Sequence, residues 1–269
     1  MLDLPRTYLF VPGDRPERFA RALVSGADAV VLDLEDAVAA GAKDAARAAV
    51  AQALAGGDAS RLVVRINDAS TPWHAADLAM LAATRAPAVM LPKSERTSEI
   101  AHARAACPTT AVLALVESAR GVLEAVALAS APGVQRLVFG TIDFALDLDL
   151  SGDPIGLDHA ASHLALASRA AGIAPPVAGV TTAIDNEALL LTELARARAH
   201  GFTAKLCIHP KQIAPLHTAL TPSAAELAWA ERVLAAAQAA GGAAVQINGC
   251  MVDKPVIERA RRLVARASR

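Results

Sequence analysis

Eight short apolar runs recur between residue 7 and about residue 210, each followed by an alanine- and leucine-rich stretch of helical length. This alternation constrains the chain more than any other feature. Strands separated by helix-length segments join one sheet as parallel neighbours linked by crossover helices. We place the strands at Tyr8–Val11, Ala29–Leu34, Leu62–Ile66, Val89–Leu91, Val112–Val116, Leu137–Phe139, Val177–Val180 and Lys205–Ile208. The runs are nearly continuous in Val, Leu and Ile, the pattern of strands covered on both faces. Eight such units within 269 residues predict an α/β fold, a TIM-like (β/α)8 barrel over residues 1–220. Residues 221–269 exceed what the barrel needs. They are expected to form a helical C-terminal extension: one helix over Ser223–Ala240, a break at Gly241 and Gly242, and a last helix over Lys254–Ala267.

Composition narrows the classes of partner. A net charge of -1 and a pI near 6.7 give no global field for nucleic acid or a membrane surface, so a small-molecule partner is expected. Cys107, Cys207 and Cys250 lie far apart, with neither a disulfide framework nor zinc-ligand spacing, as for reduced cytoplasmic thiols. No uncharged apolar run approaches the roughly 18 residues of a membrane span, and a cytoplasmic location is expected.

Catalytic groups of such barrels sit where strands deliver them to the C-terminal face. Six of the eight strands end abruptly in polar residues: Asp33, Glu35 and Asp36 after the second, Arg65 and Asn67 after the third, Lys93 after the fourth. Glu117 and Ser118 follow the fifth, Gly140 and Asp143 the sixth, and Lys205, His209 and Lys211 cluster about the eighth. A barrel gathers these around one mouth, within reach of one small anionic ligand. Glu117 and Asp143 end adjacent strands, and two carboxylates without a neighbouring histidine suit a hard cation that keeps several waters, Mg²⁺ or equally Mn²⁺. A glycosidase-type acid and base pair is the other reading, disfavoured because aromatic residues are only 3% of the chain. Arg65 supplies a planar fork for a carboxylate or a developing oxyanion.

Gly13 and Gly140 allow close backbone approach to a ligand, and the segment after Gly13, with Arg15 and Pro16, leaves amides free to meet a phosphate. The chain contains neither a dinucleotide fingerprint nor a P-loop, and Ser118 lacks the G-x-S-x-G elbow. His209, before Pro210, reads equally as a structural hydrogen-bond partner and as a catalyst.

The segments YLFVPGDRPERF (8–19), VVLDLEDAV (30–38), VVRIN (63–67), LPK (91–93), LALVESARGV (113–122), FGTIDFALDL (139–148), GFTAKLCIHPKQI (201–213) and MVDKPVIERA (251–260) occur in order along nearly the whole chain. Together they resemble the citrate lyase β-subunit and malyl-CoA lyase family. The resemblance implies a TIM-like barrel, a homotrimer or hexamer, that cleaves or forms a carbon–carbon bond between an acetyl-CoA-type thioester and a 2-keto acid. It implies Glu117 and Asp143 as Mg²⁺ ligands and Arg65 as the arginine on the keto acid. Arg65, Glu117, Gly140 and Asp143 are together the candidate substrate contacts. Asp253 matches an acid or base that some members insert into a neighbouring subunit's site. Gly13, Arg15 and Lys93 are the candidates for CoA phosphates. The chain departs from the family at Ile142, where relatives often carry Glu, and at Thr181–Ala183, where they often read Tyr and Asp. The expected substrate is a short 3-hydroxyacyl-CoA such as malyl-CoA or citramalyl-CoA. The alternatives are a citryl-thioester lyase subunit acting on an acyl carrier protein and giving oxaloacetate, a non-catalytic metal- and keto-acid-binding scaffold, and a metal-dependent keto-acid aldolase without CoA.

Overall fold

The computed structural model describes residues 4–56, 59–239, 245–247 and 250–267. Eight parallel strands close a barrel in sequence order: β1 (Thr7–Pro12), β2 (Ala29–Asp33), β3 (Leu62–Arg65), β4 (Ala88–Leu91), β5 (Ala111–Val116), β6 (Val134–Phe139), β7 (Val177–Ala178) and β8 (Ala204–Cys207). Closure runs through β1 and β8, with Thr7 opposite Lys205 and Leu9 opposite Cys207. The expected barrel is present, and each expected strand overlaps an observed one.

The helices are α1 (Phe19–Leu23), α2 (Lys43–Ala55), α3 (His74–Thr84), α4 (Thr97–Ala106), α5 (Ala119–Leu123), α6 (Ala125–Ser130), α7 (Thr141–Asp147), α8 (Asp158–Ala170), α9 (Glu187–Ala199) and α10 (Ile213–Leu220). β7 is shorter than expected. Pro175 and Pro176 precede it and Pro176 lacks the N–H a ladder uses, while Gly179 ends it where a Cβ would lie 2.9 Å from the Phe139 carbonyl oxygen.

Alternate residues of each strand point inward. Tyr8, Val31, Val63, Met90, Leu113, Leu115, Val138, Val177 and Leu206 fill the interior as one apolar cluster. At the floor, Arg136 is 2% exposed, and among the described residues no carboxylate answers it. It donates instead to the Pro175 and Pro5 carbonyl oxygens at 2.8 and 2.6 Å, to Thr203 Oγ1 at 2.7 Å and to the Tyr8 hydroxyl at 3.3 Å.

The chain forms two compact units, one over Pro5–Leu216 and a second that runs from His217. The second holds α11 (Ala224–Ala239), a two-stranded antiparallel hairpin of β9 (Val245–Ile247) and β10 (Cys250–Val252), and α12 (Lys254–Ala267). Both expected tail helices are present, and the hairpin between them was not anticipated. Gly241 and Gly242 lie outside the described residues. Ala230, Val233, Val252, Ile257, Ala260 and Leu263 give this unit its own apolar core. Among the described residues no helix is long and apolar enough to cross a membrane.

Candidate active site

The inward alternation that fills the barrel with aliphatic side chains continues one step past the apolar layer. There β2 delivers Asp33 after Val31, β3 delivers Arg65 after Val63, and β5 is followed by Glu117 after Leu115. These three polar side chains therefore crown the core at its C-terminal end.

Arg65 is the hub. Its Nε and Nη2 donate to the two oxygens of Asp33 at 2.7 and 2.6 Å, a bidentate pair. Nη1 lies 2.9 Å from Glu35 and 3.6 Å from Asp36, and the guanidinium stacks over the Phe10 ring at 4.9 Å. The hydrogen bond to Asp33 and the surrounding carboxylates outweigh burial, so Arg65 stays charged well above its ordinary range. Asp33 also accepts from the Glu35 and Ala37 backbone amides, which curls the exit of β2 back over the mouth. Lys43, on α2 and almost buried, donates to the Leu34 and Glu35 carbonyl oxygens at 2.7 and 2.8 Å and so fixes the same turn from below.

Glu117 is 5% exposed. Its Oε1 accepts the Lys93 backbone N–H at 2.8 Å, and Lys93 reaches it from a left-handed conformation with φ of 46°. Burial pushes the Glu117 carboxyl up to about 8; the Lys93 amide opposes this, while Glu35 and Asp143 add to it. Burial likewise lifts Glu35 to about 7, against the pull of Arg65 and Lys93. One Glu35 oxygen stays buried with no hydrogen-bond partner, since Arg65 Nη1 is within ion-pair distance but out of line for a hydrogen bond. The mouth thus gathers more buried carboxyl groups than its own cations answer, and burial holds Glu35 and Glu117 toward their protonated forms.

Gly140 explains how Glu117 fits. A Cβ at Gly140 would lie 2.5 Å from the Glu117 Cβ and 2.5 Å from its Oε2, so only glycine lets that carboxylate cross the end of β6. Asp143 follows in the first turn of α7, half-buried, with no hydrogen bond or ion pair to its carboxylate among the described residues. Among those residues no group of three or more His, Cys, Asp or Glu is placed to hold a metal. Glu117 and Asp143 offer two hard oxygen donors and leave the other positions of a small cation to water or substrate.

A Cβ at Gly13 would lie 2.7 Å from the Asp33 carbonyl oxygen, so its space is taken by the backbone of β2. Arg15 exposes about half its side chain, 55%. Lys93 Nζ lies 3.2 Å from Glu35. Ser118 caps α5, accepting from the Gly121 amide, and donates to Glu95 at 2.6 Å. His209 Nδ1 accepts from the Lys211 amide at 3.2 Å, the structural one of its two readings. Lys205 points outward from β8 and donates to the Gly179 carbonyl oxygen at 2.8 Å beside Glu193. Thr181 donates to Glu193, and Gln212 donates to the Thr181 carbonyl oxygen, so the seventh loop is tied down by its own network. Asp253 lies in the second unit, where it is half-buried and caps α12 by accepting from the Val256 amide at 3.3 Å.

In the sequence Asp33 and Glu35 show only as strand-end charges with no assigned role, and Lys43 does not stand out at all. The L-D-L-E-D run was the available signal for the acids. A lysine inside a helix pattern carries none.

The sequence model described as HpcH/HpaI aldolase/citrate lyase matches residues 6–210, and one described as a C–C bond lyase of the TIM-barrel fold matches residues 161–269. The chain is 40% identical to a citrate lyase subunit beta-like protein of Mycobacterium tuberculosis over 97% of its own length and 94% of the other. It is 33% identical, with the same shares covered, to a (3S)-malyl-CoA thioesterase of Cereibacter sphaeroides. A crystal structure of the M. tuberculosis protein CitE in complex with magnesium, acetoacetate and coenzyme A superposes over 100% of both chains with a TM-score of 0.90 and 38% identity.

Proposed function

The chain belongs to the HpcH/HpaI aldolase/citrate lyase family, and from that premise we propose that it is a Mg²⁺-dependent carbon–carbon lyase. Its substrate is a short 3-hydroxyacyl-CoA such as malyl-CoA or citramalyl-CoA, which it cleaves to, or forms from, acetyl-CoA and a 2-keto acid. The observation that carries this reading is the pairing of buried Glu117 with the uncommitted Asp143, in a mouth where burial makes a bare Glu117 carboxylate costly unless a cation answers it. That donor set, with Gly140 leaving room for the Glu117 carboxylate, fits a hard divalent ion, and the neighbouring CitE structure contains magnesium. Mn²⁺ suits the same donors.

When bound, the cation supplies Lewis-acid polarisation of the hydroxy acid's carboxylate and 2-oxygen. The chain's own groups do the rest. Arg65, clamped by Asp33 and Glu35, cannot swing away, so the N–H donors those acids do not use present a pre-oriented positive charge to the 2-oxygen as charge develops there. In the cleaving direction the 2-hydroxyl proton passes to water as the carbon–carbon bond breaks, and Asp253, held at the head of α12, protonates the thioester enolate carbon; in the condensing direction Asp253 removes that carbon's proton and water returns one to the new alkoxide. Asp253 acts in the site of a neighbouring copy within a trimer or hexamer. Leu123, Leu146 and Ile155, 79%, 80% and 68% exposed on the barrel unit, are apolar surface that such an assembly would cover. Arg15 is exposed enough to meet a CoA phosphate; Gly13 shapes that loop, and Lys93 would have to share its charge with Glu35.

A second reading, thioester hydrolysis, is favoured by the likeness to the malyl-CoA thioesterase. One assay separates the two. Purified protein with Mg²⁺ and a panel of hydroxyacyl-CoA substrates is followed for 2-keto acid and for free CoA; keto acid with acetyl-CoA supports the lyase, and hydroxy acid with free CoA supports the hydrolase. Turnover only with a carrier-protein thioester would assign it to a citrate lyase-type complex, and none with any substrate would make it a scaffold. Glu117→Ala and Asp143→Ala should each abolish Mg²⁺-dependent turnover, and full activity in both would remove the metal assignment.

A further inference from the structure

We propose that His74 and His102 form a second metal site, in the helical layer outside the barrel, for a divalent transition ion of the imidazole-preferring kind: Zn²⁺, Ni²⁺ or Cu²⁺. His74 opens α3 and is 8% exposed. Its Nδ1 lies 2.8 Å from the Asn67 carbonyl oxygen. A carbonyl oxygen only accepts, so Nδ1 carries the proton and Nε2 of the neutral ring presents its lone pair. Among the described residues that buried Nε2 has no hydrogen-bond partner. An imidazole oriented through Nδ1–H onto a backbone carbonyl, with Nε2 open, is how proteins prepare a histidine ligand.

The second ligand comes from the neighbouring helix. His102, exposed on α4, has its ring centre 6.1 Å from that of His74, with the planes tilted by 49°. A metal–nitrogen bond of about 2.0–2.1 Å plus the radius of the ring sets two imidazoles on one ion roughly 5–6.5 Å apart, centre to centre. The observed spacing falls in that range. Among the described residues no third His, Cys, Asp or Glu joins the pair, so water completes the coordination. The donors are nitrogen, whereas the mouth offers carboxylate oxygen, and the two sites therefore select different ions. One ligand is fixed before binding and the other is free to adjust. The site also leans on the barrel: the Asn67 side chain and amide are held by Asp77, which Arg47 holds in turn, so the carbonyl that orients His74 does not drift.

The test is a Cu²⁺ titration of tag-free protein in excess Mg²⁺, read by electron paramagnetic resonance. The parent carries His159→Ala and His163→Ala, which remove the other close imidazole pair, on α8 with ring centres 6.2 Å apart. One Cu²⁺ per chain coupled to two imidazole nitrogens is expected. His102→Ala should leave one nitrogen and weaken binding by about tenfold or more, and His74→Gln should lose the species. If the buried His74 variant misfolds, the exposed His102 variant decides alone. A two-nitrogen signal that survives His102→Ala, or a parent with no imidazole-bound Cu²⁺, overturns the site.

Discussion

Glu117 is costly as a bare carboxylate, and that cost predicts its behaviour. Burial holds its carboxyl near 8, above the ordinary value of 4.5, and Glu35 near 7. A raised carboxyl favours folding in its protonated form: the contribution is full below about pH 4.5 and is lost as pH rises through the folded value. The metal-free protein should therefore lose thermal stability between about pH 5 and 8, while Mg²⁺ affinity rises over the same window as protons leave the site. Thermal midpoints measured across that range with and without Mg²⁺ check both trends; midpoints flat in pH, or Mg²⁺ affinity that falls with pH, would contradict them. Glu117→Gln keeps an oxygen acceptor for the Lys93 amide but carries no charge to desolvate. It should match or exceed the metal-free wild type in stability at pH 8, lose most of the pH slope, and lose at least about 100-fold in Mg²⁺-dependent turnover. Loss of stability in that variant would mean that the buried charge itself supports the fold.

Single elements position these groups from a distance. α2 presents Lys43 and Arg47 one turn apart: Lys43 pins the Leu34 and Glu35 carbonyl oxygens, and Arg47 pins Asp77, which in turn holds Asn67. One helix thus sets the exits of two successive strands. Burial lowers the Lys43 pKa, against the pull of Asp33 and Glu35, and its ammonium also sits 5.2 Å from the Trp73 ring centre. Lys43→Met retains most of the packing but frees the β2 turn. It should cost about 1–3 kcal/mol in denaturant unfolding and lower kcat more than it changes KM for the hydroxyacyl-CoA, because Glu35 and the Arg65 clamp loosen together. A kcat at the wild-type level would show that β2 needs no support from α2. The strands themselves were readable because parallel barrel strands are continuous apolar runs, and β5 shows why the site was readable too: Leu113, Leu115 and Glu117 share one face, so a charge that breaks the inward pattern must sit at the end of the core. The role of α2 was not readable. Nothing in the spacing of Lys43 and Arg47 tells a solvated helix face from one that reaches over a neighbouring loop.

Across the whole barrel, the two ends divide the work. The C-terminal end concentrates buried carboxyl groups, whereas at the floor, among the described residues, buried Arg136 is satisfied by neutral oxygens from residues 5, 8, 175 and 203. Arg136 thereby ties four distant segments together. Arg136→Lys cannot reach all four acceptors and should cost about 3 kcal/mol in urea unfolding, with kcat at 25 °C within about twofold of wild type. A large loss of kcat with unchanged stability would place Arg136 in the chemistry instead.

The sequence by itself determined the barrel, its strand order and the end at which the polar residues collect, since periodicity, apolar runs and strand-end charge are local properties that chain order preserves. It also marked Glu117, Asp143 and Arg65 as the residues to watch. Tertiary structure alone decided who holds whom: that Arg65 is clamped by Asp33 and Glu35, that Gly140 makes room for the Glu117 carboxylate, that the space beside Gly13 is taken by β2, and that His74 keeps one buried nitrogen without a partner among the described residues. These contacts join residues tens of positions apart, and closure of the barrel fixes their distances. No local pattern encodes a distance that exists only once the first strand has met the eighth.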